Sequence, residues 1–259
     1  MNKFIHDIKK YHNYTIYSAK SELKAEVANS YLNWVWWVLE PLCFMGVYTL
    51  IFGYFFKASE PYFTVYIFIG ITVWDFFNKM VKSSVKLVKS NKPIVSKVYV
   101  PKYILIIEKM MVNGFKMSIG FAITAFLMLI NRVPVSWNIL WLIPILLCLI
   151  LVTFGICSIV LHFGVYIEDL ANVLNIVLRL MFYLTGVFYN LEKRAGEIGV
   201  YLNQYNPLAF LINAARDALI YCKMPNLLWV SLWLIIGMIL SAVGIRLIQK
   251  NENSYVKVI

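Results

Sequence analysis

Charges set inside apolar runs are the clearest chemical signal in this chain. Arg179 sits in the middle of the apolar stretch 170–189, with Asn175 one helical turn earlier on the same face. Placing such a charge in hydrocarbon costs about 2.5–3.5 kcal/mol on insertion scales, so it should face a protein interior or a wet cavity and find a partner. Asp75 and Glu108, on two other apolar stretches, are the candidate counter-charges. A structural ion pair and a place on a path for polar cargo are both open. After Arg179, the residues Phe182, Tyr183, Gly186 and Tyr189 recur at three- and four-residue steps and make one aromatic and polar stripe. Flat aromatic faces suit the C–H surfaces of sugar rings, and tyrosine hydroxyls can bond sugar hydroxyls. Ordinary helix packing is the competing reading.

Covalent and metal chemistry find no support. The chain has no GxxxxGK[ST] phosphate loop, no HExxH and no GxSxG. His6, His12 and His162 have no nucleophile beside them, and the one paired carboxylate, Glu168-Asp169, reads as a helix cap. Cys43, Cys148, Cys157 and Cys222 are scattered, without CxxC or His/Cys spacing, so neither a metal site nor a disulfide framework is expected. We expect a chain that is not an enzyme and holds no cofactor or metal of its own.

The elements that must position these residues follow from composition. Of 259 residues, 61% are apolar and only 14% charged, and the mean hydropathy is +0.72. Soluble domains are about 45–50% apolar and about 25% charged, so a soluble enzyme and a disordered tail are both excluded. The solvent is lipid. A membrane-crossing helix needs roughly 20 apolar residues, and six stretches qualify: 35–55, 63–80, 103–130, 139–163, 170–189 and 227–248. The expected fold is an all-α integral membrane protein with six transmembrane helices, residues 35–259 forming one membrane domain.

Lysine and arginine placement orients it. With both termini in the cytoplasm, the inner segments hold 13 basic residues and the outer ones 6. The net charge of +11 is read as basic loops facing an anionic inner leaflet rather than as a nucleic-acid site. Residues 1–34 are expected to form an amphipathic interface helix, with Phe4, Ile5, Ile8, Tyr11 and Thr15 on one face. They lack the continuous apolar region of a cleaved signal peptide. Trp34, Trp36 and Trp37 form an aromatic belt, and Glu40-Pro41 puts a kink into the first span. Residues 81–102 carry six lysines, no acid, and interleaved valines with Leu87 and Ile94: one or two short cytoplasmic helices with a face to dock. Residues 190–226 mix apolar runs with Asn203, Asn206, Arg216 and Asp217, which suits a pair of short external helices dipping back into the outer leaflet.

The order of these features resembles a family. Leu23-Lys24, Tyr31-Leu32, Trp36 and Glu40-Pro41-Leu42 are similar to the start of permease subunits from polysaccharide-exporting type-2 ABC transporters. So are Gly70 through Phe77 (GITVWDFF), Asn91 through Pro101 (NKPIVSKVYVP), Phe182 through Tyr189 (FYLTGVFY), and Asn206-Pro207-Leu208 with Arg216. The resemblance runs from about residue 4 to the C-terminus. It departs at three places. The usual LG pair is Leu32-Asn33, "RDL" reads Glu168-Asp169-Leu170, and "TP" reads Thr185-Gly186, a flexible turn for a rigid one.

The resemblance implies a half-transporter in a bacterial inner or plasma membrane. Two copies of the chain would make the channel, and two copies of a separate ATP-binding subunit, holding ATP and magnesium, would drive it. The cargo implied is a polysaccharide (O-antigen, capsule or teichoic acid) on a polyprenyl diphosphate. Residues 90–101 would be the coupling helix, with Asn91, Lys92, Ile94, Val95, Lys97, Val98 and Pro101 meeting the ATPase. Trp34, Trp37, Trp74, Asp75, Arg179, Phe182, Tyr183 and Tyr189 would line the substrate path. Residues 1–34 would gate access from the inner leaflet. Residues 190–226, with Asn206, Pro207 and Arg216, would form the external gate. A type-2 permease for a drug or small lipid, a membrane-embedded lipid-phosphate transferase and a purely structural membrane protein are the alternatives.

Overall fold

The computed structural model describes residues 2–28, 31–55 and 60–258, and every regular element among them is helical. Helix α1 (Asn2–Val27) comes first. Helix α2 (Trp36–Tyr48) runs through Pro41 and continues as a π-helical segment, Thr49–Phe55. Helix α3 (Phe63–Val85) leads to two short turns, α4 (Leu87–Ser90) and α5 (Lys92–Val95). Then follow α6 (Lys102–Ile130), α7 (Leu142–Tyr166) and α8 (Leu170–Leu184). Helices α9 (Leu191–Tyr205), α10 (Pro207–Leu219) and α11 (Leu227–Val258) complete the chain.

Each of the six apolar stretches folds as a helix. Among the described residues, four helical segments are long and apolar enough to cross a membrane: Trp36–Phe55, Lys102–Ile130, Trp137–Tyr166 and Leu227–Tyr255. The other two differ for physical reasons. Helix α3, about 35 Å long at 1.5 Å per residue, carries Asp75, Lys79 and Lys82. Its residues 65–74 are all buried, against α6, α7, α8 and α10. A helix buried on every side is solvated by protein rather than lipid. Helix α8 is about 22 Å long and stops five residues before the end of its apolar stretch. There Thr185 Oγ1 donates to the Phe182 carbonyl at 2.9 Å, and Gly186 takes φ +63°, the left-handed conformation that glycine adopts without strain.

Helices α7 and α11 form the tightest pair. A Cβ on Gly244 would stand 2.4 Å from Ser158 Cβ, and one on Gly155 would stand 2.6 Å from Leu240 Cβ. Ser241 Oγ donates across the pair to the Leu151 carbonyl at 2.9 Å. Small residues with a crossing hydrogen bond let two backbones close in a medium where apolar burial supplies no drive.

The face of α1 is polar where the sequence suggests an apolar stripe. Phe4, Ile8 and Tyr11 do pack on the core, but Ile5 is half exposed, and the buried positions Asp7, Thr15 and Ala19 step along one side. That side lies along the first half of α6. Tyr103 donates to Asp7, Ser18 donates to Glu108, Lys109 pairs with Glu22, and Lys116 Nζ donates to Glu26 at 2.8 Å. Lys109 and Lys116, charges inside an apolar stretch, are thus matched by acids on α1.

Candidate functional site

Helices α2, α3, α6 and α8 surround two adjoining cavities. One, of about 280 Å³, is lined by Trp36, Trp37, Glu40, Asp75, Lys79 and Lys116 among others. The second, of about 560 Å³, lies between α2, α3 and α8 and is lined by Trp74, Asp75, Lys82, Arg179, Phe182 and Tyr183. Glu40, Pro41, Ile71, Asp75 and Lys79 line both, so the two make one continuous groove. Its flanking helices are the least buried in the molecule: α2 has no buried residue, and α8 has only Leu178.

The charges in this groove are incompletely matched. Lys79 Nζ lies 3.7 Å from Asp75 Oδ2, and Lys116 is held by Glu26. Arg179, expected to pair with Asp75 or Glu108, makes neither bond. Asp75 is taken by its i+4 neighbour Lys79 and Glu108 by Ser18. Arg179 is exposed in the groove. Among the described residues, Lys82, Arg179 and Glu40 make no hydrogen bond or ion pair, so two cations and one carboxylate stand unbonded in the groove beside aromatic rings.

The aromatic stripe also differs from its sequence reading. It breaks with α8 at Thr185, so Tyr189 is no longer on the helix. Its hydroxyl turns back to donate to the Tyr183 carbonyl. Phe182 instead joins a cluster that sequence spacing does not reveal. Its ring centroid lies 5.3 Å from Trp74 and 5.0 Å from Phe188. Phe188 in turn stacks on Phe52 at 4.6 Å and tilts against Tyr48 at 4.5 Å. Tyr48, Phe52 and Phe188 come together only through the turn at Gly186 and the π-helical segment. Trp37 lines the groove and packs on Phe115, with centroids 5.7 Å apart. Trp34 is exposed, and the groove's lining does not include it.

At one end of the bundle, residues 86–101 fold as α4, α5 and an extended exit. Asn91 starts α5: its carbonyl accepts from Ile94 N and Val95 N, both at 3.0 Å. Val95 and Val100 are buried and anchor the segment, while Ile94, Lys97, Val98 and Tyr99 stay exposed. Pro101 caps α6 with ψ 131°, the extended backbone that turns the chain into the helix. Three contacts brace the segment. Lys89 Nζ reaches Glu168 at 2.9 Å, Tyr99 Oη donates to Glu252 Oε2 at 2.9 Å, and Tyr11 Oη donates to the Tyr99 carbonyl at 3.0 Å. The Lys89 ammonium holds the Glu168 carboxyl below its usual range. Burial, followed by the bond to Glu252, pushes the Tyr99 phenol up. The basic loop is therefore tied to α1, to the α7–α8 loop and to the end of α11.

At the opposite end, α9 and α10 form a hairpin clasped by Arg216. Asn206 caps α10 by accepting from Leu208 N at 3.1 Å, with Pro207 at the first helical position. Arg216 is buried to 1% exposure. It donates to the carbonyls of Tyr66 (3.2 Å), Gly186 (3.0 Å) and Val187 (2.7 Å) and to Asn213 Oδ1 (3.1 Å). Its guanidinium lies 3.5 Å from the Tyr66 ring centroid. Gly70 makes room, because a Cβ there would stand 2.7 Å from Arg216 Nη2. Beside the clasp, Glu60 accepts from Tyr221 Oη at 2.6 Å and pairs with Lys193 at 2.7 Å. Burial works to raise the Glu60 pKa, but the bonds from Lys193 and Tyr221 outweigh it and hold the carboxyl below its usual range.

Residues 15–220 match the ABC-2 type transporter family. The chain belongs to the ABC-2 type transporter family. The match begins within α1 and closes at the end of α10, so it takes in the groove, the basic loop and the Arg216 hairpin. Among curated relatives, an O-antigen export system permease protein RfbA of Klebsiella pneumoniae is 26% identical over 242 residues, 92% of each chain. An RfbA permease of Myxococcus xanthus is 22% identical over 227 residues, 87% of each. The polysialic acid transport protein KpsM of Escherichia coli is 24% identical over 217 residues, 76% of this chain and 77% of its own. As an ABC-2 transporter chain, this is a multi-pass membrane protein. Its exposed apolar side chains on α2, α7, α8 and α11 are surfaces for lipid or for other membrane helices.

Proposed function

We propose that the chain is the permease half of an exporter that moves a polyprenyl-diphosphate-linked polysaccharide out of the cytoplasm. The observation that carries this is the groove between α2, α3 and α8, where unpaired Lys82 and Arg179 stand beside Trp74, Phe182 and Tyr183. A diphosphate asks for cations, and sugar rings ask for flat apolar faces. The relatives' printed roles in O-antigen and polysialic acid handling support the same cargo class.

On this reading α2, α3, α6, α7, α8 and α11 cross the membrane, with both termini cytoplasmic. Helix α1 lies at the inner interface, and α9–α10 dips into the outer leaflet. Two copies associate through the poorly buried α2 and α8 and close the groove into a path. An ATP-binding subunit docks on the exposed Ile94, Lys97 and Val98. Its closure pulls the basic loop, and the braces at Lys89, Tyr99 and Tyr11 pass that pull to the bundle. The test is co-expression with the neighbouring ATPase reading frame. Equal-stoichiometry co-purification, with ATP turnover raised by a prenyl-diphosphate-linked oligosaccharide, is expected. Turnover indifferent to that lipid rejects the cargo assignment.

A further inference from the structure

Two buried groups of opposite charge stand at the basic-loop end of the bundle without meeting. Lys102 is the first residue of α6 and is almost fully buried. Among the described residues it makes no hydrogen bond or ion pair. Its ammonium lies over the Tyr99 ring, 5.6 Å from the centroid. Glu252, near the end of α11, is also buried. Its Oε2 accepts from Tyr99 Oη at 2.9 Å, while its Oε1 is buried with no partner.

Both groups are under-satisfied. A buried ammonium without an acceptor is costly, and a cation in the first turn of a helix also opposes the macrodipole. A buried carboxylate oxygen without a donor bears its own desolvation cost. Other acids do not relieve Lys102. Asp7 and Glu108, the buried acids against and on α6, are taken by the hydroxyls of Tyr103 and Ser18. Glu252 is near enough for the two charges to interact.

Tyr99 holds them apart. Its ring covers the ammonium and its hydroxyl occupies the carboxylate. It is half exposed and belongs to the loop whose Ile94 and Val98 face outward. Glu252, by contrast, belongs to the α7–α11 pair, closed by the glycine contacts and by His162 Nδ1 and Tyr255 Oη, 2.8 Å apart. One contact therefore joins an exposed loop to a tightly packed helix pair. We propose that Tyr99 is a removable wedge: when the loop draws it out, Glu252 exchanges the phenol for the Lys102 ammonium, and the ion pair holds a second arrangement of the bundle. Exchange between two discrete partners is how a docked subunit can bias a packed core. The proposal rests on the export reading above for the force that moves the loop; the exchange itself belongs to this chain.

Spin labels at Ser96→Cys and Ser254→Cys, both exposed positions, report the loop-to-α11 distance by pulsed electron resonance in nanodiscs, with Cys43 and Cys222 replaced by serine. The chain alone should give one main distance. Tyr99→Phe keeps the ring and drops the hydroxyl. It should raise a second, longer distance about tenfold, the effect of one charge-assisted hydrogen bond. Adding Lys102→Met should cancel that rise, and so should Glu252→Gln, whose neutral amide gives the ammonium no counter-charge. Trapping the bound ATPase with ADP and vanadate should populate the same second distance in the parent chain, about tenfold less in Lys102→Met. Elution profiles check that each variant folds. A single distance in both Tyr99→Phe and the trapped complex, with the ATPase bound and turning over, overturns the wedge and leaves the export reading standing. A second distance that survives Lys102→Met is loop movement without exchange and also overturns it. An ATPase that does not bind counts against the export reading, while Tyr99→Phe in the chain alone still decides the exchange.

Discussion

Gly70→Ala, made with and without Arg216, tests whether the guanidinium clasp organises the end of the bundle where α9 and α10 sit. In an open helix the change should gain about 0.5–1 kcal/mol, because alanine restricts the unfolded chain and favours the helix. Here the new methyl would stand 2.7 Å from Arg216 Nη2, the nitrogen that donates to Val187 O at 2.7 Å. The guanidinium must move, and losing one charged hydrogen bond costs about 1.5–3 kcal/mol. The net expectation is a loss of roughly 1–2 kcal/mol. Arg216→Ala alone empties all four bonds and leaves buried carbonyls unpaired, for a loss of about 3–5 kcal/mol. In that background the nearest atoms left to the methyl at 70 are those of Val187, at 3.1–3.2 Å, and its effect should fall to near zero. The coupling energy is then about 1–2 kcal/mol in magnitude. Unfolding free energies of the four proteins in micelles measure it, with Arg216→Lys as the milder background if Arg216→Ala does not fold. Equal penalties for Gly70→Ala in both backgrounds would refute the clasp.

Three further outcomes are expected. Because the folded Glu60 pKa lies below the ordinary value of 4.5, its stabilisation is complete above that pH and is lost as pH falls through its own lower value. Proteolytic nicking of residues 190–226 should rise over that acid range in the native chain, and Glu60→Gln should abolish the dependence. The double charge reversal Lys92→Glu with Lys97→Glu should cut ATPase co-purification about tenfold with no change in the elution profile, since rim charges steer association more than folding. Lys82→Ala with Arg179→Ala should raise the half-saturating concentration of lipid-linked oligosaccharide for ATPase stimulation by about tenfold or more, as two charge-assisted contacts are lost. An unchanged value rules these cations out of the headgroup site.

The helices were legible because apolar runs of about 20 residues admit few other folds, and all six runs are helical. The short helices of the basic loop and the α9–α10 hairpin were legible from composition and from the Asn206-Pro207 cap signal. Partners were not. Arg179 looked like half of an ion pair, but Lys79, one turn from Asp75, takes the acid first. Lys109 and Lys116 fall inside the apolar stretch 103–130. Their acids, Glu22 and Glu26, lie on α1 some 90 positions away, and no local period points to them. Arg216 read as a polar interruption, yet it is the most deeply buried charged side chain of the α9–α10 hairpin, held by backbone carbonyls that carry no sequence signature. The cluster of Phe52, Phe188 and Tyr48 depends on a π-helical segment and a left-handed glycine. Both are backbone choices settled by packing.

Translocation is the central claim, and it is measured most directly in proteoliposomes holding the permease and its ATPase, with the nucleotide-binding side facing outward. A fluorescent prenyl-diphosphate-linked oligosaccharide is added to the outer leaflet, and quenching by a membrane-impermeant reagent follows its disappearance. The account predicts ATP-dependent protection from the quencher that is lost in Lys82→Ala with Arg179→Ala. Protection that forms without ATP, or ATP turnover with no protection, would contradict it.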